Sequence, residues 1–543
     1  MTQTFGELVD EIINFRWRSS PVEASFEGIH DYDHLLDHYD PQTRKEYFAK
    51  ISEYLQKLEH FDESALENSE LLDKEILTKA FHVEIKLEDE YKRLDRDATI
   101  YPEICLYGTY IILLRNYAPF DERIKSVPHR LREIPRVLNE GMENLRNGND
   151  IPEVWTRIAI EVTEDGIQFF NFVMPQAAAR AGELSDEILK ANQDVIEALK
   201  KYLAFLKDEL LAKSDGKFAF GKELFEFILQ NQHILPYSVD DLIKIGIDTI
   251  EATQKEMDEL VAEIDSDNDW REIVKELKED HPTAEELIDY YRSEMERARD
   301  FVKEKDLVTI PEDELLSLME TPVFERTTIP YAAYMPPAPF EDRQEGFFWV
   351  TPVNPDMPAE MQKDQLQGHN RWGVVLTALH EAYPGHHLQL LHSNRVDSKV
   401  RRVFGTPVFA EGWALYCEDL MYEQGFYGNP RTRLMQLKDK LWRACRVVID
   451  AKLHTEQMSF DEAVDMLVNV ANLERTNAIA EVKRYTQSPT QPMSYIMGKL
   501  EILKLRDEYR KSKGEEFDLK EFHNKLLSFG TIPVELVRRR MLS

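Results

Sequence analysis

The chain has 543 residues, 43% hydrophobic and 31% charged, with no long polar tract, which excludes disorder for the bulk and allows one or more buried cores. Sixty-seven Lys and Arg against 101 Asp and Glu leave a formal charge of -34, a field that repels phosphate backbones and anionic lipid surfaces and argues against nucleic acid as a partner. Cys105, Cys417 and Cys445 form no CxxC pair, the N-terminus carries acids where a signal peptide has bases, and no run approaches the ~18 apolar residues of a membrane span, so a cytoplasmic protein without a membrane partner is expected.

Few Gly and Pro for this length (21 and 25) predict long helices and a mainly α fold. From the start to about Asp300 apolar residues return at three and four positions, the pattern of successive amphipathic helices. Between 188 and 211, Ile188, Val195, Ile196, Leu199, Leu203, Leu206 and Leu210 form one stripe, which reads as a core-facing helix. Ser238 with Asp241, Thr283 with Glu286, and Ser459 with Glu462 have capping-box spacing ahead of apolar periodicity and predict three helix starts. Between Thr309 and Pro358 the texture changes to TTIPYAAYMPPAPF and GFFWVTPVN, Pro-punctuated and rich in β-branched and aromatic residues, which predicts a small sheet or extended segment. Helices are expected to resume at Asn370. The chain thus divides into a helical portion, 1–310, and a motif-bearing portion, 311–543, either two domains or two lobes of one. A multi-helix fold around a central cleft, lined by the extended stretch near 320–352, is the expected architecture.

The residues that carry chemistry lie in LTALHEAYPGHHLQ, where His380 and Glu381 precede Pro384, Gly385, His386 and His387. A regular helix would set His386 about 240° round and 9 Å along from His380, too far to share a metal. Pro384 disfavours helix at Tyr383 and Gly385 tolerates almost any backbone conformation, so a bulge at these two residues would return His386 to the place of an i+4 histidine. His387 then becomes a supporting residue or a donor to substrate. Twenty-five residues after His386, Glu411 opens the apolar helix of PVFAEGWALYCEDLMYE and is a candidate third ligand, with Glu418 two turns on either orienting a ligand histidine or facing solvent. Glu381, beside His380, is placed to deprotonate a metal-acidified water. Without a metal the same residues would be satisfied histidines and a capping acid. Arg446, Asp450 and His454 recur at i+4 and form either a buried polar support or surface pairs.

HEAYPGHHLQ followed by EGWALYCE, with YAAYMPPAPF and RYTQSPTQPMSYIMG, resembles the bacterial family catalogued as domain of unknown function 885, strongly over about 310–543 and in kind before that. That family is similar to helical zinc peptidases with HExxH and a downstream Glu ligand, such as thermostable carboxypeptidases, thimet oligopeptidase and angiotensin-converting enzyme. The resemblance implies one Zn2+ per chain on His380, His386 and Glu411, with Glu381 as general base. Two residues inserted in HExxH leave the second ligand open between His386 and His387. PMSYIMG is similar to the PSYxxG stretch of those carboxypeptidases, which gives Tyr495 the role of oxyanion donor. Arg484, Tyr485 and Lys499 flank it and are candidates for holding substrate, a guanidinium or ammonium suiting a peptide's terminal carboxylate. The expected function is a zinc-dependent hydrolase of short peptides, a carboxypeptidase or dipeptidase. The alternatives are a zinc amidohydrolase or esterase on a non-peptide substrate, and a non-catalytic helical scaffold with a structural or vestigial metal. Oligomeric state is not legible.

Overall fold

A computed structural model describes residues 3–322, 325, 326, 329 and 331–542. Thr327, Thr328 and Pro330 of the Pro-punctuated stretch lie outside these described residues. The chain is mainly helical with one small sheet, as its composition predicts. Two compact units form: unit 1 comprises Met1–Phe218 with Ala338–Arg343 and Ser398–Val403, and unit 2 comprises Ala219–Pro337, Gln344–Asp397 and Phe404–Ser543. The change of texture near residue 310 falls inside unit 2, where helices give way to the sheet, and the compact units divide at residue 218.

Unit 1 is built on helices whose apolar stripes face one another, chiefly Val127–Asn147, Glu153–Ala179 and Ser185–Phe205. In the last of these Ile188, Val195 and Leu199 are buried as the stripe predicts. The regular turn widens over Leu206–Leu210, where Leu206 and Leu210 also point into the core, while Ile196 and Leu203 are only half-buried.

Unit 2 opens with Lys222–Asn231 and the long helix Val239–Ile264, whose start at Ser238 has both capping-box bonds. Thr283 and Glu286 exchange the same pair of bonds (3.2 and 3.3 Å) just ahead of the helix Leu287–Glu304, and Ser459 with Glu462 caps Phe460–Asn469. The predicted extended segment is a three-stranded sheet in the order β1 (Leu315–Glu320), β3 (Glu345–Val350), β2 (Ala332–Met335). β3 runs parallel to β1, with Leu315 opposite Glu345, and antiparallel to β2, with Met335 opposite Phe347. Every residue of β3 is buried, which explains why GFFWV, after Glu345, reads as a continuous apolar run without alternation. Helices resume earlier than expected, at Ala359–Gly368, whose sequence AEMQKDQLQG buries nothing and so carries no apolar period to read.

Candidate metal centre

The helix Arg371–Glu381 begins at Asn370, whose side chain accepts from Gly373 N at 2.8 Å, and ends where Pro and Gly predict an interruption. Ala382 leaves helical conformation (φ -107°, ψ -88°), the Tyr383–Pro384 bond is cis, and a new helix, His386–Asn394, starts directly after Gly385. Gly385 N donates to Leu379 O at 3.1 Å, so the bulge folds back on the helix it leaves. A Cβ at residue 385 would lie 1.8 Å from His380 O, an approach that only glycine permits. Trp413 Nε1 holds the far side of the bulge by donating to Pro384 O at 2.8 Å.

This bulge turns His386 toward His380. Glu411, on the helix Pro407–Glu423, brings Oε2 to 3.1 Å from His386 Nε2 and 3.8 Å from His380 Nε2, and one ligating atom from each residue lies within 4.8 Å of the other two. Glu411 reaches this point because its helix packs closely on Ser494–Lys513: a Cβ at Gly412 would meet Gly498 Cα at 2.4 Å, and one at Gly498 would meet Val408 O at 1.8 Å. The same crossing brings Tyr495 beside His380, rings parallel with centroids 6.3 Å apart.

Glu418 Oε1 accepts a hydrogen bond from His380 Nδ1 at 2.8 Å, which leaves Nε2 of that imidazole as its free donor atom. Burial disfavours the charged form of His380, yet its bonds to Glu411 and Glu418 raise its pKa to about 9. Burial likewise works against ionisation of Glu411, and the His386 and His380 imidazoles outweigh it, holding the carboxyl well below the usual range. For Glu381 burial wins: its pKa is raised, with His386 and His380 opposing and the neighbouring Glu411 adding to the rise. Glu381 and Tyr495 are half-buried, and neither side chain is hydrogen-bonded to any described residue.

Arginines gather on one side of this group. Arg446 lies 4.1 Å over the Tyr495 ring and Arg443 5.8 Å from it. Gln491 connects Arg446 and Arg484 to Glu411, its Oε1 accepting from Arg446 (3.1 Å) and Arg484 (3.4 Å) while its Nε2 donates to Glu411 Oε1 at 3.3 Å. Arg443 makes no hydrogen bond to a described residue, its nearest carboxylates being Glu418 at 3.7 Å and Asp439 at 3.8 Å.

Other expected site residues are placed elsewhere. His387 is fully buried, with Nε2 on Glu314 (3.1 Å) and Nδ1 on Tyr334 (2.9 Å), so neither nitrogen remains for metal or substrate. Of the two histidines between which the sequence left a choice, His386 faces Glu411. Lys499 is buried in an ion pair with Asp419, which removes it from any role in holding substrate. Tyr485 is fully buried and accepts from Trp442 Nε1 at 3.2 Å; it packs beneath Arg446 and has no open face for a ligand. Arg484 is bound to Glu481 at 2.7 Å but stays partly exposed beside Gln491. Arg446, Asp450 and His454 are buried; Arg446 reaches Gln491 and Asp450 the N–H groups of Thr490 and Met493 (both 3.1 Å) in the turn before Tyr495, while His454 bonds Tyr485 O (2.9 Å) in the preceding helix, Arg475–Gln487. Two of the three therefore anchor that turn. Gln491 and Arg443 escaped the sequence reading; Arg443 lies one residue off the i+4 series of Arg446, and Gln491 offers no pattern.

Two imidazole nitrogens and a carboxylate oxygen form a donor set that suits Zn2+, and ligands about 2.1 Å from a tetrahedral ion stand about 3.4 Å apart, close to the separations seen. Among the described residues no fourth side chain of ligating type joins the group. His380, His386 and Glu411 therefore fit a three-ligand zinc site.

A family profile described as "Bacterial protein of unknown function (DUF885)" matches residues 21–541. Two solved structures share the fold. A putative lipoprotein of unknown function from Shewanella oneidensis is 26% identical, with a TM-score of 0.82 and all of both chains covered. The putative lipoprotein from Colwellia psychrerythraea is 18% identical, with a TM-score of 0.83 and 99% of each chain covered. No curated protein matches the sequence.

Proposed function

The chain belongs to the DUF885 family, bacterial proteins of unknown function, and from that premise we propose that it is a zinc-dependent hydrolase of short peptides. One observation carries the reading: two histidines and a glutamate converge with no fourth ligand among the described residues, the pattern that separates a catalytic zinc from a structural one. His380, His386 and Glu411 would hold the ion, and Glu418 fixes the tautomer of His380. Bound there, zinc would supply Lewis acidity, acidifying the attacking water and polarising the scissile carbonyl. Glu381 takes the proton from that water and returns it to the leaving amine, a role helped by burial, which raises its pKa above the ordinary carboxyl value. Tyr495, whose phenol is uncommitted, donates to the oxyanion.

Carboxypeptidase or dipeptidase action is favoured over internal cleavage. Arg443 has no hydrogen-bonded partner among the described residues, and Nε of buried Arg446 is likewise unbonded. Guanidinium groups left in that state beside Tyr495 suit a substrate's free carboxylate, the part expected from the sequence of Arg484 and Lys499.

The test is a panel of short peptides with free or amidated C-termini, run with zinc and with a chelator. The proposal expects zinc-dependent release of C-terminal residues from the free acids and little from the amides. Cleavage confined to non-peptide amides or esters would make the protein an amidohydrolase, and bound zinc without hydrolysis of any panel would return the scaffold reading. We also place the protein in the cytoplasm, on the strength of three buried, unpaired cysteines. Recovery in the membrane fraction of its host would overturn that placement.

A further inference from the structure

Pro384 and Gly385 solve the spacing problem of the metal motif but create another. A bulge made of a proline, which has no N–H, and a glycine, which has no side chain, is held through backbone atoms, Gly385 N on Leu379 O and Pro384 O on Trp413, and brings no polar side chain of its own to fix the residues on either side. The position of His386 then depends on what grips the bulge from either side.

Resting on the proposed zinc site, we infer that Glu314 is its positioning residue, a carboxylate that clamps both shoulders of the bulge and so sets where His386 stands. Glu314 lies at the end of the segment leading into β1, and its side chain is 5% exposed. Its Oε2 accepts from the Tyr383 hydroxyl on one shoulder and from His387 Nε2, at 3.1 Å, on the other. Its Oε1 is held by Arg299, on the helix Leu287–Glu304, through Nε at 2.8 Å and Nη2 at 2.6 Å. His387 is held in turn by Tyr334 of β2, whose hydroxyl lies 2.9 Å from Nδ1; with Nε2 donating to the carboxylate, Nδ1 accepts from the phenol.

The charge arrangement favours a fixed geometry over mere filling. Burial works against ionisation of Glu314, and its bonds from His387, Tyr383 and Arg299 outweigh that, bringing its pKa down to about 2. An ionised carboxylate accepting several charge-assisted or phenolic hydrogen bonds in a dry setting is short-tethered and directional. None of its partners is a ligand, so its effect on the metal passes through the backbone between Tyr383 and His387.

The experiment compares wild type, Glu314→Gln and Tyr383→Phe for zinc affinity, by competition with a chromophoric chelator, and for the visible spectrum of the Co2+-loaded protein. Each metal-free protein is first shown by circular dichroism to be folded at the working temperature. Supporting chains of hydrogen bonds around metal ligands are typically worth ~10–100-fold in affinity, so Glu314→Gln should weaken zinc binding at least ~10-fold and alter the Co2+ bands, with Tyr383→Phe changing both in the same direction by less. Glu474→Gln, removing a carboxylate that pairs with Lys278 away from the bulge, should change neither. Folded variants that bind zinc as tightly as wild type with an unaltered Co2+ spectrum would overturn the clamp. If Glu314→Gln does not fold, Tyr383→Phe alone decides by the same two readouts. Absence of zinc binding in wild type would instead overturn the metal site on which the inference stands.

Discussion

At the scale of single residues, the account rests on side chains whose polar atoms are already committed and on those left uncommitted. His380 is oriented by Glu418, Glu411 by Gln491, and His387 is spent on Glu314 and Tyr334. Glu381 and Tyr495 are spent on nothing among the described residues. Glu381→Gln should therefore keep about one zinc per chain while peptide hydrolysis falls by ~10²–10⁴, the range for loss of a general base. Loss of zinc in that variant would mark Glu381 as a ligand instead. Tyr495→Phe should lower kcat by on the order of 10² with KM little changed, since an oxyanion donor acts in the transition state. An unchanged kcat would confine Tyr495 to packing. His380, Glu381, His386 and Glu411 were legible because the chemistry clusters in two short stretches of sequence. Lys499 misled because its neighbour in sequence is Tyr495, whereas its partner in space is Asp419, eighty residues earlier.

At the scale of elements, two backbone approaches make the site: Gly385 against the end of the His380 helix, and Gly412 against Gly498 where the Glu411 and Tyr495 helices cross. The first was foreseeable, since proline and glycine together announce an interruption. The second was not, because a lone glycine within a helical pattern does not say which helix will lie against it. Gly498→Ala forces a Cβ to within 1.8 Å of the Val408 carbonyl, so the helices must separate. Overpacking of this kind costs about 1–3 kcal/mol, and because Glu411 and Tyr495 ride on the two helices, zinc affinity should fall as well. Denaturant unfolding and chelator competition on that variant check both; unchanged values in the two would show that the crossing does not govern the site. The helix Ala359–Gly368 was missed for the opposite reason, since it packs no apolar face.

At the scale of the whole molecule, the acidity that argues against nucleic acid as a partner says little else about function, and the uneven fate of the histidines says more. Burial lowers the pKa of His233 to about 3 and of His369, His454 and His523 to about 4, and all four belong to unit 2. Their folded values lie below the ordinary ~6.5, so the unfolded chain takes up protons first. Their contribution to stability is complete above about pH 6.5 and is lost as pH falls toward 4 and below, at about 1.4 kcal/mol per pH unit for each histidine. The pattern reverses at His380 in unit 2 and at His30 in unit 1: at each, burial opposes charge but bonds to neighbouring carboxylates raise the pKa, so the contribution is complete below ~6.5 and lost at higher pH. Hydrogen exchange of metal-free protein between pH 7 and 5, corrected for intrinsic rates, should show unit 2 losing protection ahead of unit 1. Equal loss in both would contradict this distribution of buried charge.

The central claim is that His380, His386 and Glu411 hold a catalytic zinc, and metal content tests it most directly. Protein purified without a histidine tag, together with a His380→Ala, Glu411→Ala double variant, would be analysed by mass spectrometry after dialysis against micromolar zinc. The account predicts close to one zinc per chain in the wild type and none in the variant. No zinc in the wild type, or zinc retained undiminished by the variant, would contradict it.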